Sequence, residues 1–120
     1  MDGKASARKI AFDGLSFAPR FAYGEMAEVT EVVGAGDGTE LGTGFGRFIN
    51  ADIPWTVKYD EVLLVLEGEV EIATPQGVIT AGPRDCVWLP TGTELRYRAE
   101  HALVFYAITP VNWAEREDAS

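Results

Sequence analysis

Period-two alternation of apolar and polar residues runs through most of this chain, and it limits what the chain can fold into. Glu69-Val70-Glu71-Ile72 alternates cleanly, Val29-Thr30-Glu31-Val32 follows Met26-Ala27-Glu28, and Leu95, Tyr97 and Ala99 share one face of Glu94–Ala99. A strand points successive side chains to opposite faces, so such runs read as half-buried antiparallel strands; a helix would need a period near 3.6. Thirteen glycines and six prolines punctuate the pattern. Glu67-Gly68, Pro75-Gln76-Gly77, Gly82-Pro83-Arg84-Asp85 and Thr91-Gly92 are spaced like the turns of an all-β barrel or sandwich. Strands are predicted near 9–12, 18–22, 25–33, 40–49, 54–66, 69–73, 78–81, 86–90, 94–99 and 102–108, with a turn of helix over 112–117. A single domain is expected over 9–116, between a flexible N-terminal arm (1–8) and a flexible tail (117–120).

Composition narrows the function classes. At 120 residues, 47% hydrophobic and 24% charged, the chain can build one soluble core. Ten Lys and Arg face nineteen Asp and Glu, a net charge of -9, which argues against nucleic-acid or anionic-membrane partners because those need a basic footprint. Cys86 is the single cysteine and excludes an internal disulfide and a thiolate zinc cage. Its apolar neighbours predict a buried, inert thiol. His101 is the single histidine, excludes a site needing two imidazoles from one chain, and reads as a hairpin-turn residue in Ala99-Glu100-His101-Ala102. Met1–Asp13 carries Lys4, Arg8 and Lys9 and no apolar run, so no signal peptide is expected, and the aliphatic run Val62–Leu66 is far short of a membrane span. A cytoplasmic protein is the default expectation. The Gly34–Gly38 cluster is not followed by a helix or by Gly-Lys-Ser/Thr, so it is not a phosphate loop.

The segment Trp55–Ile72, WTVKYDEVLLVLEGEVEI, carries Glu61 and, after six residues, Gly68. Asp85-Cys86-Val87-Trp88-Leu89-Pro90-Thr91-Gly92 ends a strand in Pro-x-Gly. In order and spacing these resemble the two motifs of the cupin superfamily, which implies an all-β, single-domain cupin jelly-roll barrel, a double-stranded β-helix. The resemblance stops at the metal. Positions where the first motif usually offers two histidines hold Trp55 and Val57, and the second motif's histidine and asparagine positions hold Leu95 and Ala99. Glu61 alone survives of the four ligands. One carboxylate does not hold a transition metal, which needs three or four donors, so no metal and no other cofactor is expected.

This loss pattern is similar to the ethanolamine-utilization EutQ family. The resemblance covers Met26–Thr30, Gly42–Phe45, Asp52–Thr56, Tyr59-Asp60-Glu61 and Phe105–Trp113; its more specific parts are Pro54-Trp55-Thr56, Tyr59-Asp60-Glu61 and the terminal Asn112-Trp113. It implies a metal-free cupin associated with amine catabolism and bacterial microcompartments, in a family linked to acetate kinase activity and microcompartment assembly. A EutQ protein of the usual kind has a sizeable segment before its cupin domain, and here only a short arm is expected.

The parity Trp55, Val57, Tyr59, Glu61, Leu63, Val65 would point into the barrel. Glu61 is then a carboxylate on an apolar wall, either a general acid/base or a structural group hydrogen-bonded to Tyr59 or a backbone amide. Tyr59 could orient a substrate, and Tyr97 is a weaker candidate of the same kind. Trp55 either floors a pocket by stacking or cation–π contact with an amine, or fills volume the metal vacated. Arg47 pairs with Glu61 or clamps an anion if it faces inward, and is solvated if outward; the alternating Gly42, Gly44 and Gly46 leave its face open. Expected functions are binding of, or action on, a small polar metabolite in the barrel, or a non-catalytic accessory or assembly role. A homodimer through edge strands is expected.

Overall fold

The structure is a computed structural model describing residues 6–20 and 23–114. Its chain order is β1 (Ala18–Pro19), β2 (Ala27–Val33), β3 (Gly42–Thr56), β4 (Asp60–Gly68), β5 (Val70–Thr74), β6 (Gly77–Ala81), β7 (Cys86–Leu89) and β8 (Glu94–Thr109), with short 3-10 turns at Phe12–Gly14 and Ala35–Asp37.

Two long strands organise everything else. β3 and β8 pair antiparallel from Gly42↔Ile108 to Thr56↔Glu94. The first half of β3 also pairs with β2, and β2 with β1. The last half of β8 pairs with β4, and β4 with β7. The first half of β8 instead pairs with β5, through Glu71↔Arg98 and Ile72↔Tyr97, and β5 with β6. One wall is therefore β1-β2-β3-β8-β4-β7 and the other is β3-β8-β5-β6, with β3 and β8 belonging to both. This is the expected all-β jelly roll.

The walls meet where β3 and β8 bend. Asn50 has φ of 44°, a left-handed conformation that asparagine tolerates better than most residues. The inward parity changes sides there. Gly46 and Phe48 are buried before the bend, and Ala51 and Ile53 after it; on β8, Leu95 and Tyr97 precede it, and Ala102 and Val104 follow. Ile72, Leu89, Val57, Val65, Val70 and Val104 are fully enclosed between the walls.

The bend explains where the sequence pattern misleads. The predicted strands 94–99 and 102–108 are one strand, because the polar Glu100-His101 step marks the change of parity and not a hairpin. His101 sits in mid-ladder opposite Ile49. The predicted 40–49 strand likewise runs on to Thr56, and the predicted 54–66 strand is interrupted at residues 57–59. There the Val57 N–H donates to the Thr93 carbonyl at 2.9 Å and the Gly92 N–H donates to the Val57 carbonyl at 2.8 Å, which ties the connection to the next turn. The Asp60 carboxylate accepts from the Thr91 N–H and hydroxyl at 3.0 and 3.1 Å. The predicted strand at 9–12 does not form; Phe12 packs edge-on against Phe17 and Phe45 from a 3-10 turn. The predicted 18–22 strand shortens to Ala18–Pro19, and 21–22 lie outside the described residues. Cys86 is exposed at the start of the short β7, not buried, because it shares the outward parity of Trp88. The flexible arm and tail fall largely on residues 1–5 and 115–120, outside the described residues; within 6–8, Arg8 pairs with Asp37 at 2.8 Å. Of the helical turn expected over 112–117, Trp113 and Ala114 are helical.

Two glycines are required by close approach. Gly68 has φ of 76° and a Cβ there would strike the His101 carbonyl oxygen. A Cβ on Gly44 would strike the Thr30 carbonyl oxygen and the Tyr106 phenol, which lies across from it on β8. Gly44→Ala should therefore cost about 1–3 kcal/mol of stability. Gly36→Ala, where an added Cβ meets nothing within 4 Å, should stay within ~0.5 kcal/mol. Denaturant unfolding of both variants checks this; equal losses would contradict the packing.

Candidate functional site

The two walls enclose a cavity of about 470 Å³. Along the first half of β3, Gly42, Gly44 and Gly46 lie opposite Ile108, Tyr106 and Val104, and Gly42 and Gly46 border the cavity. Glycine here admits the close approach of neighbouring groups: a Cβ on Gly42 would strike Val111 and Ile108, and one on Gly46 would meet Val104 at 3.3 Å. Trp55, Tyr59, Glu61, Tyr97 and Arg47 all border this space, so the barrel brings all the residues singled out from the sequence to one place.

Glu61 sits on β4 between Leu89 of β7 and Ile108 of β8. It is 5% exposed. Its partner is not Tyr59 or a backbone amide, the alternatives its sequence neighbourhood offers. The Tyr97 hydroxyl donates to Oε1 at 3.2 Å from across the barrel. Tyr97 is held by stacking on Phe48, with ring centroids 5.7 Å apart and planes at 28°. Removal from water destabilises the charged carboxylate and pushes the Glu61 pKa up to about 7; the Tyr97 hydrogen bond and the charge of Arg20 oppose that rise without cancelling it. Burial, then the Glu61 charge, drives the Tyr97 phenol well above its ordinary value, so Tyr97 stays a donor.

Tyr59 lies in the braced connection between β3 and β4, 4% exposed, with its ring against Trp113 at 5.3 Å. Trp113 also meets Trp55 edge-on at 5.8 Å. Burial raises the Tyr59 pKa, followed by the Glu61 charge, while Arg20 and the Trp55 indole pull it back.

Arg47 borders the cavity and is half-buried. It has the parity of Phe45, on the face covered by the N-terminal segment, and its guanidinium lies 4.3 Å from the Phe17 ring centroid. The cation that acts on Glu61 is Arg20, which sequence reading missed. Arg20 directly follows β1, extends its guanidinium over the Trp55 ring at 5.5 Å and donates to the Tyr59 hydroxyl at 3.5 Å. It carries no motif and is 41 positions from Glu61 in the chain (61 − 20), so only the β1–β2–β3 pairing brings it here.

Trp55, Val57, Leu95 and Ala99 occupy the positions named above as the usual ligand positions, and Glu61 has the Tyr97 hydroxyl beside it. Among the described residues no three His, Cys, Asp or Glu side chains cluster. Nor is any helix of the described residues long and apolar enough to cross a membrane.

A bent, two-walled antiparallel barrel with its polar groups gathered inside is a cupin, and solved cupins superpose on it. A sugar phosphate isomerase of the cupin superfamily from Silicibacter pomeroyi matches with a TM-score of 0.69 at 18% identity, over 85% of this chain and 75% of that one. The profile of the family described as ethanolamine utilisation protein EutQ matches residues 15–115, and the chain belongs to that family. The crystal structure of an ethanolamine utilization protein Q from Salmonella typhimurium LT2 superposes with a TM-score of 0.84 at 26% identity, over 93% of both chains. The protein named acetate kinase EutQ in Escherichia coli K12 is 33% identical over 86 residues, 71% of this chain and 37% of that protein. Its Salmonella typhimurium counterpart is 33% identical over 86 residues, 71% of this chain and 38% of its own length. The chain thus matches little more than a third of the length of these two curated relatives.

Because the folded-state pKa of Glu61 lies above its ordinary 4.5, folding takes up a proton between pH 4.5 and about 7. The associated stability is complete below pH 4.5 and is lost as pH rises through 7. Relative to Glu61→Gln, the native protein should lose about 3 kcal/mol between pH 4.5 and 8. Parallel thermal melts across that range check it; parallel curves would mean the carboxylate is solvated or fully compensated.

Proposed function

We propose that this protein binds a small polar metabolite inside the barrel, without a metal or other cofactor, and that Glu61 exchanges a proton with it. The observation that supports this reading is a buried carboxyl poised near neutral pH on the cavity wall. A group whose pKa is close to the working pH is populated in both forms, which is what a general acid/base needs. As a carboxylate, Glu61 can take a proton on one oxygen while Tyr97 holds the other. As an acid, it can return that proton to a ligand atom. Tyr59 orients the ligand from the Trp55 end.

The activity in the relatives' name enters here as a candidate only. Acetate, acetyl phosphate and nucleotides belong in the same ligand screen as amines and short sugars. A cytoplasmic place in an amine-catabolism pathway or microcompartment is part of the same proposal, drawn from the family. A thermal-shift screen identifies the ligand class, since a ligand of the native state raises the midpoint by mass action. With any ligand found, Glu61→Gln should lower turnover at least ~100-fold, while leaving the fold intact. Unchanged binding and turnover in Glu61→Gln would remove Glu61 from the site.

A second reading, an accessory or assembly role through the outer surface, is favoured by one feature. Trp88 is 59% exposed and Val62 42%; they are paired neighbours on β7 and β4, and β7 ends its wall as an edge strand. An apolar edge of this kind suits pairing with a second copy of the chain. Sedimentation should give a dimer at micromolar concentration and a monomer for Trp88→Ser. A native monomer would leave the barrel interior as the functional surface.

A further inference from the structure

Glu61 uses one of its two oxygens. Oε1 accepts from the Tyr97 hydroxyl at 3.2 Å, and among the described residues Oε2 makes no hydrogen bond. The residue is 5% exposed and borders the 470 Å³ cavity, so whatever meets Oε2 stands in that space. Buried polar groups in native proteins are hydrogen-bonded, and one left over calls for an occupant. The two forms of a carboxyl ask for opposite partners. A carboxylate only accepts, whereas a carboxylic acid carries an O–H that has to donate. Burial raises the Glu61 pKa to about 7, so both forms are populated near neutral pH. A hydroxyl both donates and accepts and therefore satisfies Oε2 in either form. A carbonyl satisfies only the acid, and an ammonium only the carboxylate.

We propose that Glu61 Oε2 binds the hydroxyl of an uncharged alcohol or phenol whose remaining body is apolar. The inference rests on the cavity being the ligand site, as proposed above, and names the substrate class. The body is apolar because the surroundings of Glu61 are. Leu89 and Ile108 flank it on β7 and β8, Leu63 follows it on the inward face of β4, and Phe48 and Ile53 border the same space. The ligand is uncharged because the lining already offsets its own charges. Glu28 and Glu31 of β2 border the cavity together with Arg20 and Arg47, two of each sign. Tyr23, Tyr59 and Tyr106 border it as well, and burial raises the Tyr59 and Tyr106 phenols. An ionic ligand would give up its water in such a chamber without a matching counter-charge, and an unpaired buried charge is costly.

Four probes built on one ring decide the matter: cyclohexanol, cyclohexanone, cyclohexylamine and cyclohexanecarboxylate. Each is titrated into the full chain at pH 6 and pH 8 while tryptophan fluorescence and melting temperature are followed. Cyclohexanol should bind at millimolar concentration or better, raise the melting temperature, and keep its affinity within about threefold between the two pH values. Cyclohexanone should match it at pH 6 and weaken about tenfold at pH 8, as the acid form of Glu61 is lost through pH 7. The amine and the carboxylate should each bind at least about tenfold more weakly than cyclohexanol at both pH values. The amide of Glu61→Gln also donates and accepts, so this variant should hold cyclohexanol within about threefold and abolish the pH dependence of the ketone. Glu61→Met should weaken cyclohexanol about tenfold, the loss of one hydrogen bond. An ionic probe binding as tightly as cyclohexanol, a ketone indifferent to pH, or cyclohexanol binding unchanged in Glu61→Met overturns the hydroxyl assignment while leaving barrel binding standing. If no probe binds, the assignment is overturned, and barrel binding itself falls if the metabolite screen is also silent. The comparison of the four probes at two pH values needs only the native protein, so it decides the matter even where a variant fails to fold.

Discussion

The ladder between β3 and β8 is the interaction on which the rest depends. It keeps one register from Gly42↔Ile108 to Thr56↔Glu94, missing a pair only at Asn50 and Glu100, yet its two halves serve different sheets. Because both strands bend together near Asn50 and Glu100, they reverse which parity faces inward. The barrel closes without a separate corner element. The sites of Trp55 and Tyr97 lie on one side of the bend, Tyr106 and the glycine face on the other. A slip of β8 by one residue in this pairing would turn its inward set, Tyr97 among it, to the outer face.

Energetically the interior is unequal. Val57, Val65, Val70, Ile72, Leu89 and Val104 are enclosed, and their burial supplies the hydrophobic stabilisation. The cavity next to them forgoes some of that stabilisation. A carboxyl is held near 5% exposure, and an indole N–H is left without an acceptor. Each of these is unfavourable on its own, and they are neighbours. Local departures from good packing and polar satisfaction that cluster in one place are the physical mark of a site. The charges on the outside behave differently. Asp52, Arg96, Arg98 and Glu71 form an exposed ladder whose pairs water and salt screen.

Family and geometry constrain one another. Family membership accounts for the barrel and for the Glu61–Gly68 turn. What a chain matching less than half the length of its curated relatives does with that barrel turns on its own lining residues. Those residues pair a carboxyl with a tyrosine and set Arg20 against Trp55 and Tyr59. The exposed Trp88 and Val62 edge offers a surface that such a barrel could use independently of its interior.

Much of this is legible in the chain itself. Alternating residues dictate strands because the side-chain period of a strand is two, and the residues of that parity, Trp55, Tyr59 and Glu61, border one cavity. The absence of imidazoles at the usual ligand positions is plain from the residues alone. What the chain does not disclose is which distant groups meet. Tyr97 as the partner of Glu61, Arg20 over Trp55, and Arg47 against Phe17 all depend on pairings between strands far apart in sequence. His101 and Cys86 mislead for the same reason: polarity near a bend resembles a turn, and apolar neighbours on an edge strand resemble a core. Local patterns specify faces, whereas the closure of two sheets specifies which faces look at each other.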